Sequence, residues 1–402
     1  MSTHFLHGVE VIELDGGSRP IQTVASSVIG LVGTAPKGPV NKPTLILGSL
    51  TEAVQIFGED KNDGFTIPAA LKGIFDQAGA VVVVVNVADP ENENHLDDDG
   101  ELDPKKIALS DVMGGVNTDG TYRGAKCLLA AQTECKVQPR LLVAPGFTHQ
   151  QVQGNANPVV GELLSIAERL RAIVIADCPN DTKEDAVDYA EDFGSPRIYC
   201  AYPWARVFKG NDIVDEPFSA RIAGVIAKSD NERGFWWSPS NSTINGIVGL
   251  SKPVDFTLGD PLCVANFLNE NKVATIIQQD GFRLWGNRTT SADAKWTFIS
   301  VRRTADMIND SLLRAHLWAV DRNITKTYNE DVCEGVNNYL RYLKNIGAVI
   351  GGGCWADKAI NTPDQIMQGK VVFDFDFTPP YPAEHIIFRS RIVNDYLQEI
   401  FE

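Results

Sequence analysis

The sequence lacks a long apolar run. Its longest, Ala80 to Val85, falls far short of the roughly 20 residues that span a bilayer and reads as a buried strand. The opening M-S-T-H-F-L-H-G has neither a basic stretch nor an apolar one, so no secretion signal and no membrane insertion are expected. Cysteine is sparse and unpatterned. Cys127, Cys135, Cys178, Cys200, Cys263, Cys333 and Cys354 make an odd set with no C-x-x-C spacing and no histidine cluster. That argues against a disulfide framework or a zinc site, and for free thiols in a reducing cytoplasm. Basic charge is also short, with 36 Lys and Arg against 52 Asp and Glu. The deficit is uneven: residues 281–402 carry 14 against 15, and residues 1–280 carry 22 against 37. A body this acidic is a poor partner for nucleic acid.

The motifs of common chemistries are missing as well. Gly33 to Gly38 is followed by Pro39 where a Walker A loop needs lysine. Pro36 and Pro39 also remove amide donors from any phosphate cradle. There is no G-x-S-x-G elbow and no H-E-x-x-H. Gly351, Gly352 and Gly353 lack dinucleotide-binding spacing and read as a tight turn that lets Trp355 pack. Cys178 after Asp177 would end a parallel strand, a favoured catalytic position, but no histidine accompanies it. The acidic run 89–104, with eight acidic and no basic residues, fails the EF-hand spacing and reads as a solvated linker. No catalytic residue, metal or cofactor is assigned.

What is present is an α/β pattern. Strands are expected at Val28–Val32, Ala80–Val87, Leu141–Ala144, Ala172–Asp177 and Arg197–Tyr202. Helices are expected over Pro158–Arg171, over Thr182–Phe193 with a Thr182/Asp185 capping box, and from near Pro217. Repeated strand–helix–strand units imply a parallel sheet. The last third changes character. A meander at Thr275–Ile277, Phe282–Trp285 and Trp296–Ser300 leads into two helices, the second starting at Asn329 and ending at Gly347.

Both chain ends are strongly patterned. Val9, Val11 and Ile12 lie in a strand-like arm that Gly16 and Gly17 interrupt as a backbone swivel. At the other end, Phe373, Phe375 and Phe377 alternate with Asp374 and Asp376 before the proline-rich T-P-P-Y-P and a second run containing Ile386, Ile387 and Phe388. This predicts an antiparallel hairpin with one apolar face. Arg302, Arg303, Arg314 and Arg322 fall on or beside one helix and form a candidate basic stripe for a protein partner.

The chain resembles the contractile tail sheath proteins of P2-like myophages and R-type bacteriocins. The resemblance is carried in order by H-G-V-E-V-I-E-L, S-S-V-I-G-L-V-G-T-A-P-K-G-P-V-N-K-P, E-A-V-Q-I-F-G, G-F-R-L-W-G-N-R-T, F-I-S-V-R-R-T-A-D-M-I, G-G-G-C-W-A-D, N-T-P and F-D-F-D-F-T-P-P-Y-P-A-E-H-I-I-F. It implies a non-enzymatic subunit that stacks as six-membered rings around a tail tube, with arms adding strands to neighbours, and contracts to drive the tube through an envelope. Assembly would take place in the host cytoplasm, and the product would be a virion tail or tail-like particle. Implied partners are other copies of the chain, the tube protein, and baseplate and terminator proteins. The implied architecture is multidomain α/β. Residues 1–20 form a strand-donating arm, 21–90 with 261–391 an inner α+β domain, 91–260 an inserted parallel-sheet α/β domain, and 392–402 a C-terminal arm. Val9, Val11 and Ile12 would be strand donors, Gly16 and Gly17 the hinge, and Phe373, Phe375, Phe377, Ile386, Ile387 and Phe388 the accepting hairpin. The arginine stripe would face the tube. A cytosolic α/β hydrolase or nucleotide-binding protein is the competing class.

Overall fold

A computed structural model describes residues 21–400 except 62, 153, 395, 398 and 399. The donor arm with Val9, Val11 and Ile12, and the Gly16–Gly17 swivel, lie outside the described residues. In chain order the first elements are strand β1 (Ile29–Gly33), β2 (Thr44–Leu47), helix α1 (Leu50–Phe57), α2 (Thr66–Phe75) and β3 (Val81–Asn86). An excursion follows with α3 (Leu109–Met113), the short β4 (Gly115–Val116) and β5 (Tyr122–Arg123), and α4 (Ala131–Glu134). The chain continues through β6 (Leu141–Val143), α5 (Pro158–Leu170), β7 (Ile173–Asp177), α6 (Lys183–Glu191) and β8 (Ile198–Ala201). Next come β9 (Ala205–Lys209), β10 (Asp212–Glu216), α7 (Ser219–Arg233), β11 (Gly249–Leu250), α8 (Val264–Glu270), β12 (Val273–Gln278) and β13 (Phe282–Trp285). The last third holds α9 (Ile299–Ala315), α10 (Lys326–Asn345), β14 (Gly351–Trp355), α11 (Pro363–Met367) and β15 (Asp374–Thr378).

Eight strands form one sheet in the order β13-β12-β8-β7-β6-β1-β3-β2. From β12 to β3 all neighbours are parallel, and antiparallel β13 and β2 close the two sides. Period-two side chains feed two apolar layers. Ile29, Leu31, Val82, Val84, Ile173 and Ile175 meet α1, α2 and α7 on one face. Val32, Val83, Val85, Val174 and Ala176 meet α5 and α6 on the other. Helix starts follow capping chemistry. The Asn157 side chain accepts from the amides of Val159 (2.8 Å) and Val160 (3.1 Å) ahead of α5, with Pro158 in its first turn. Thr182 and Asp185 form the expected capping box of α6.

Several expectations are corrected. The sheet takes β1–β3, β6–β8 and β12–β13 together, so it runs across the expected boundaries near 90 and 260. Local periodicity cannot report which distant strands pair. Between β8 and α7 an unexpected antiparallel hairpin, β9–β10, joins β11 as a three-stranded sheet. Residues 296–300 are a turn and the start of α9 rather than a strand. The cap of helix α10 is Thr325, four residues before the expected Asn329, its hydroxyl accepting from the Tyr328 amide at 3.1 Å.

Candidate assembly interface

The last third makes its own small core. Met307, Ile308 and Leu312 of α9 pack with Val336, Tyr339, Leu340 and Leu343 of α10, and Phe373, Phe375 and Phe377 lean on this cluster. The apolar face predicted for the three phenylalanines is therefore present, but the predicted hairpin is not. The partner of β15 is β14, antiparallel, with Gly352 opposite Phe377 and Trp355 opposite Asp374. The glycine triplet is thus a strand and not a turn, and Trp355 is left about half exposed. Gly352 shows why: a Cβ there would sit 2.5 Å from the Asp376 carbonyl oxygen and 3.1 Å from Phe377 Cα. From the other side, Asn337 of α10 grips the Cys354 backbone, accepting its amide at 2.7 Å and donating to its carbonyl at 3.0 Å.

Ile386, Ile387 and Phe388 stand apart from β15. They lie in an extended segment and are 66, 70 and 94% exposed. The connection is diverted before it can fold back. Pro379 is buried, the Tyr381 ring meets Phe298 edge-on at 6.2 Å, and Arg288 holds Glu384 through two hydrogen bonds of 2.7 and 2.5 Å. Beyond Glu384 the described residues are solvent-exposed, including Ile392 and Val393.

The arginine stripe is also divided. Arg303 is buried and pairs with Asp230, with a 2.8 Å bond from Nη1, while its other nitrogen donates to the Ser26 carbonyl at 3.1 Å. Arg302 is mostly covered, bonds Asp306 at 2.8 Å and stacks over Trp296. Of the four only Arg314 and Arg322 are exposed; Arg314 donates to Gln138 at 2.6 Å and pairs with Asp310 at 3.4 Å, and Arg322 lies 5.0 Å from the Trp318 ring centroid.

Helix α9 is instead fixed by buried ion pairs. Asp306 takes a two-pronged bond from Arg197 (2.6 and 3.0 Å), and Asp310 binds Arg140. Burial draws the Arg197 guanidinium down, but Asp306 and Glu168 outweigh it and the net shift is upward. For Arg140 burial prevails over Asp310 and the shift is downward. These pairs were missed from sequence. The available signal was Asp306 and Asp310, one turn apart on the apolar stripe of α9, a position carboxylates occupy only when paired.

Three family profiles match the chain in order. They are the N-terminal region of tail sheath protein Gp18 domain III over residues 26–87, the phage tail sheath protein central domain over 120–290, and the phage tail sheath C-terminal domain over 291–393. The chain is 43% identical over 405 residues to a prophage major tail sheath protein of Pseudomonas aeruginosa (strain UCBPP-PA14), covering 99% of each. The chain belongs to the phage tail sheath family. It is 33% identical to the tail sheath protein of Escherichia phage P2, over 98% of this chain and 97% of that one. Its fold matches the contracted helical sheath of the anti-feeding prophage with a TM-score of 0.69 at 23% identity, over 98% of this chain and 100% of that one. It also matches the contracted sheath complex of the extracellular contractile injection system PVC, with a TM-score of 0.67 at 20% identity, over 99 and 100%.

The sheath family is structural, not enzymatic, and the groups that suggested chemistry have other employment. Asp177 is buried at the end of β7 and caps α7, accepting from the amides of Phe218 (2.6 Å) and Ser219 (2.7 Å) and from the Ser219 hydroxyl. Burial outweighs these bonds and pushes its carboxyl up to about 6. Cys178 is fully buried, and burial likewise holds its thiol well above the usual range. In the acidic loop, Asp97 accepts from the amides of Glu101 and Asp99, each at 2.9 Å, which holds its carboxyl below the usual range and folds the loop on itself. Among the described residues no group of three His, Cys, Asp or Glu could hold a metal ion, and no helix is long and apolar enough to cross a membrane.

Proposed function

We propose that this sheath subunit polymerises as stacked six-membered rings around a tail tube, and that contraction of the polymer drives the tube through the target envelope. Neighbours are joined by strand addition. One observation carries the joining step: β14–β15 is a two-stranded sheet whose outer edges carry no further strand among the described residues, followed by a terminal segment whose large apolar side chains no described residue covers. A third or fourth strand supplied by another copy would use those edges and bury those side chains. Many weak joints acting together give a mesh that holds while each joint is marginal.

In this reading Val9, Val11 and Ile12 are donors, and Phe373, Phe375 and Phe377 underlie the receiving sheet. Ile386, Ile387 and Phe388 move from receiver to donor. The tube contact narrows to Arg314 and Arg322, since Arg302 and Arg303 serve the interior. Baseplate and terminator proteins would close the two ends. Assembly would proceed in the host cytoplasm and yield a virion tail or tail-like particle.

Electron microscopy of the purified full-length chain, alone and with tube protein, tests this. Hollow tubes or stacked rings are expected, and removal of residues 1–20 should leave a folded subunit that forms neither. Discrete small particles from the full-length chain at every concentration would overturn the polymer. Normal tubes from the shortened chain would overturn donation by the first arm.

A further inference from the structure

Helix α10 and strand β14 bring two cysteines together beside an open groove. Asn337 holds the Cys354 backbone from α10, accepting its amide at 2.7 Å and donating to its carbonyl at 3.0 Å. Cys333 lies one turn earlier on α10, on the same helix face, because residues four apart stand one above the other. Its side chain packs against the small core that buries Cys354. The two thiols are therefore neighbours, although 20 residues of chain separate them. Burial pushes the Cys354 thiol up to about 12, and the Cys333 thiol beside it adds to the rise. Their access to solvent differs. Cys354 is buried, while Cys333 is half-buried and lines the groove with Gly352 of β14. Cys178 and Cys200 are also neighbours, but both are fully buried in the large sheet. All seven thiols are free.

We propose that Cys333 and Cys354 form a thiol–disulfide modification site, closed by low-molecular-weight disulfides into a bond that staples β14 to α10. Cys333 enters first, because of the two it is the one that reaches the groove. Its thiolate attacks one sulfur of the small disulfide, the S–S bond breaks, and one small thiol leaves with a proton. Cys354 loses its proton, attacks the Cys333 sulfur and expels the second small thiol. Two protein thiols are oxidised, one small disulfide is reduced to two thiols, and the two protons pass to them. The mixed disulfide also removes the Cys333 charge that opposes ionisation of Cys354. A reducing compartment keeps the pair as thiols, and an oxidising one closes it. Strand β14 is already paired with β15 along one edge and gripped by Asn337. The staple adds a covalent tie to α10, and it stands whether or not the assembly reading above holds.

Oxidation of the folded full-length chain tests it. The probe is hydroxyethyl disulfide, which is uncharged and so is not repelled by Glu330 and Glu334 in the same groove. Mass spectrometry of a non-reduced digest should find Cys333 linked to Cys354, with Cys178 and Cys200 still thiols. Oxidation should raise the melting temperature by about 4 °C, the order expected for closing a loop of this length in a chain this size. Dithiothreitol should reverse the rise, and C333S given the same probe should show none. C354S should stop at the mixed disulfide, with the probe thiol retained on Cys333. The parent's digest decides the pairing without any variant. A parent that stays reduced, stops at the mixed disulfide or joins Cys333 to another cysteine would overturn the site. A linked pair with no rise in melting temperature would overturn the staple.

Discussion

Asp177 stands where α/β enzymes place catalytic groups, and its bonds show what this chain does with that position. Two backbone amides and a hydroxyl point one carboxylate at the start of α7. The arrangement answers the unpaired donors of a helix N-terminus, using a side chain from another element. Its carboxyl rises from 3.8 to about 6 through burial, so the folded state binds the proton more tightly than the unfolded chain. That contribution to stability is complete below about pH 4 and is lost as pH rises through 6. Relative to Asp177→Asn, the parent should lose up to about 3 kcal/mol between pH 4 and 7, at about 1.4 kcal/mol per unit. Denaturant titration of both proteins at a series of pH values measures the difference, and a flat difference would refute the assignment.

At the scale of the element, α9 is the spine between the large sheet and the terminal module. Its first residue, Ile299, lies in the sheet core, and Met307, Ile308 and Leu312 lie in the small one. Between them the docking is ionic. Removing one partner of a buried pair leaves an uncompensated charge, whereas removing both leaves an apolar contact. Arg197→Met and Asp306→Leu should each destabilise the subunit by about 3–5 kcal/mol, and the double variant by clearly less than their sum. Additive losses in a double-mutant cycle would show that the pair is not coupled. The pattern of α9 predicted a helix correctly but put Arg302 and Arg303 on a surface stripe, whereas both are engaged within the fold. Helical period identifies the apolar stripe, but Arg303 reaches its partner Asp230 in α7, 73 residues away. The terminal strand was read in the same way, with the correct face and the wrong partner. Gly352 has room beside Phe377 only because it lacks a Cβ, a fit that alternation in the sequence does not express.

At the scale of the molecule, contraction requires each body to turn while its joints hold. Gly16 and Gly17 lie in the sequence between the proposed donor strand and the first described residue, Ile21. Glycine offers the backbone freedom such a swivel needs, and proline removes it. The Gly16→Pro/Gly17→Pro variant should form extended tubes like the parent but fail to shorten when contraction is triggered. Tube length by microscopy measures this, and normal shortening would exclude the swivel.

The sequence by itself determined the α/β class, most parallel strands with their helices, the apolar row of β15, the pattern of the two ends and the family. Each rests on local periodicity, capping or an ordered set of motifs, and these are written in consecutive residues. Only the tertiary structure decided that one sheet unites strands from 29 to 285, that α9 is held by buried ion pairs, and that β15 pairs with β14 while residues 385–393 run free. Those outcomes depend on which distant groups fit together in three dimensions. Steric room at one glycine and the neutralisation of buried charge decided them, and neither leaves a period in the chain.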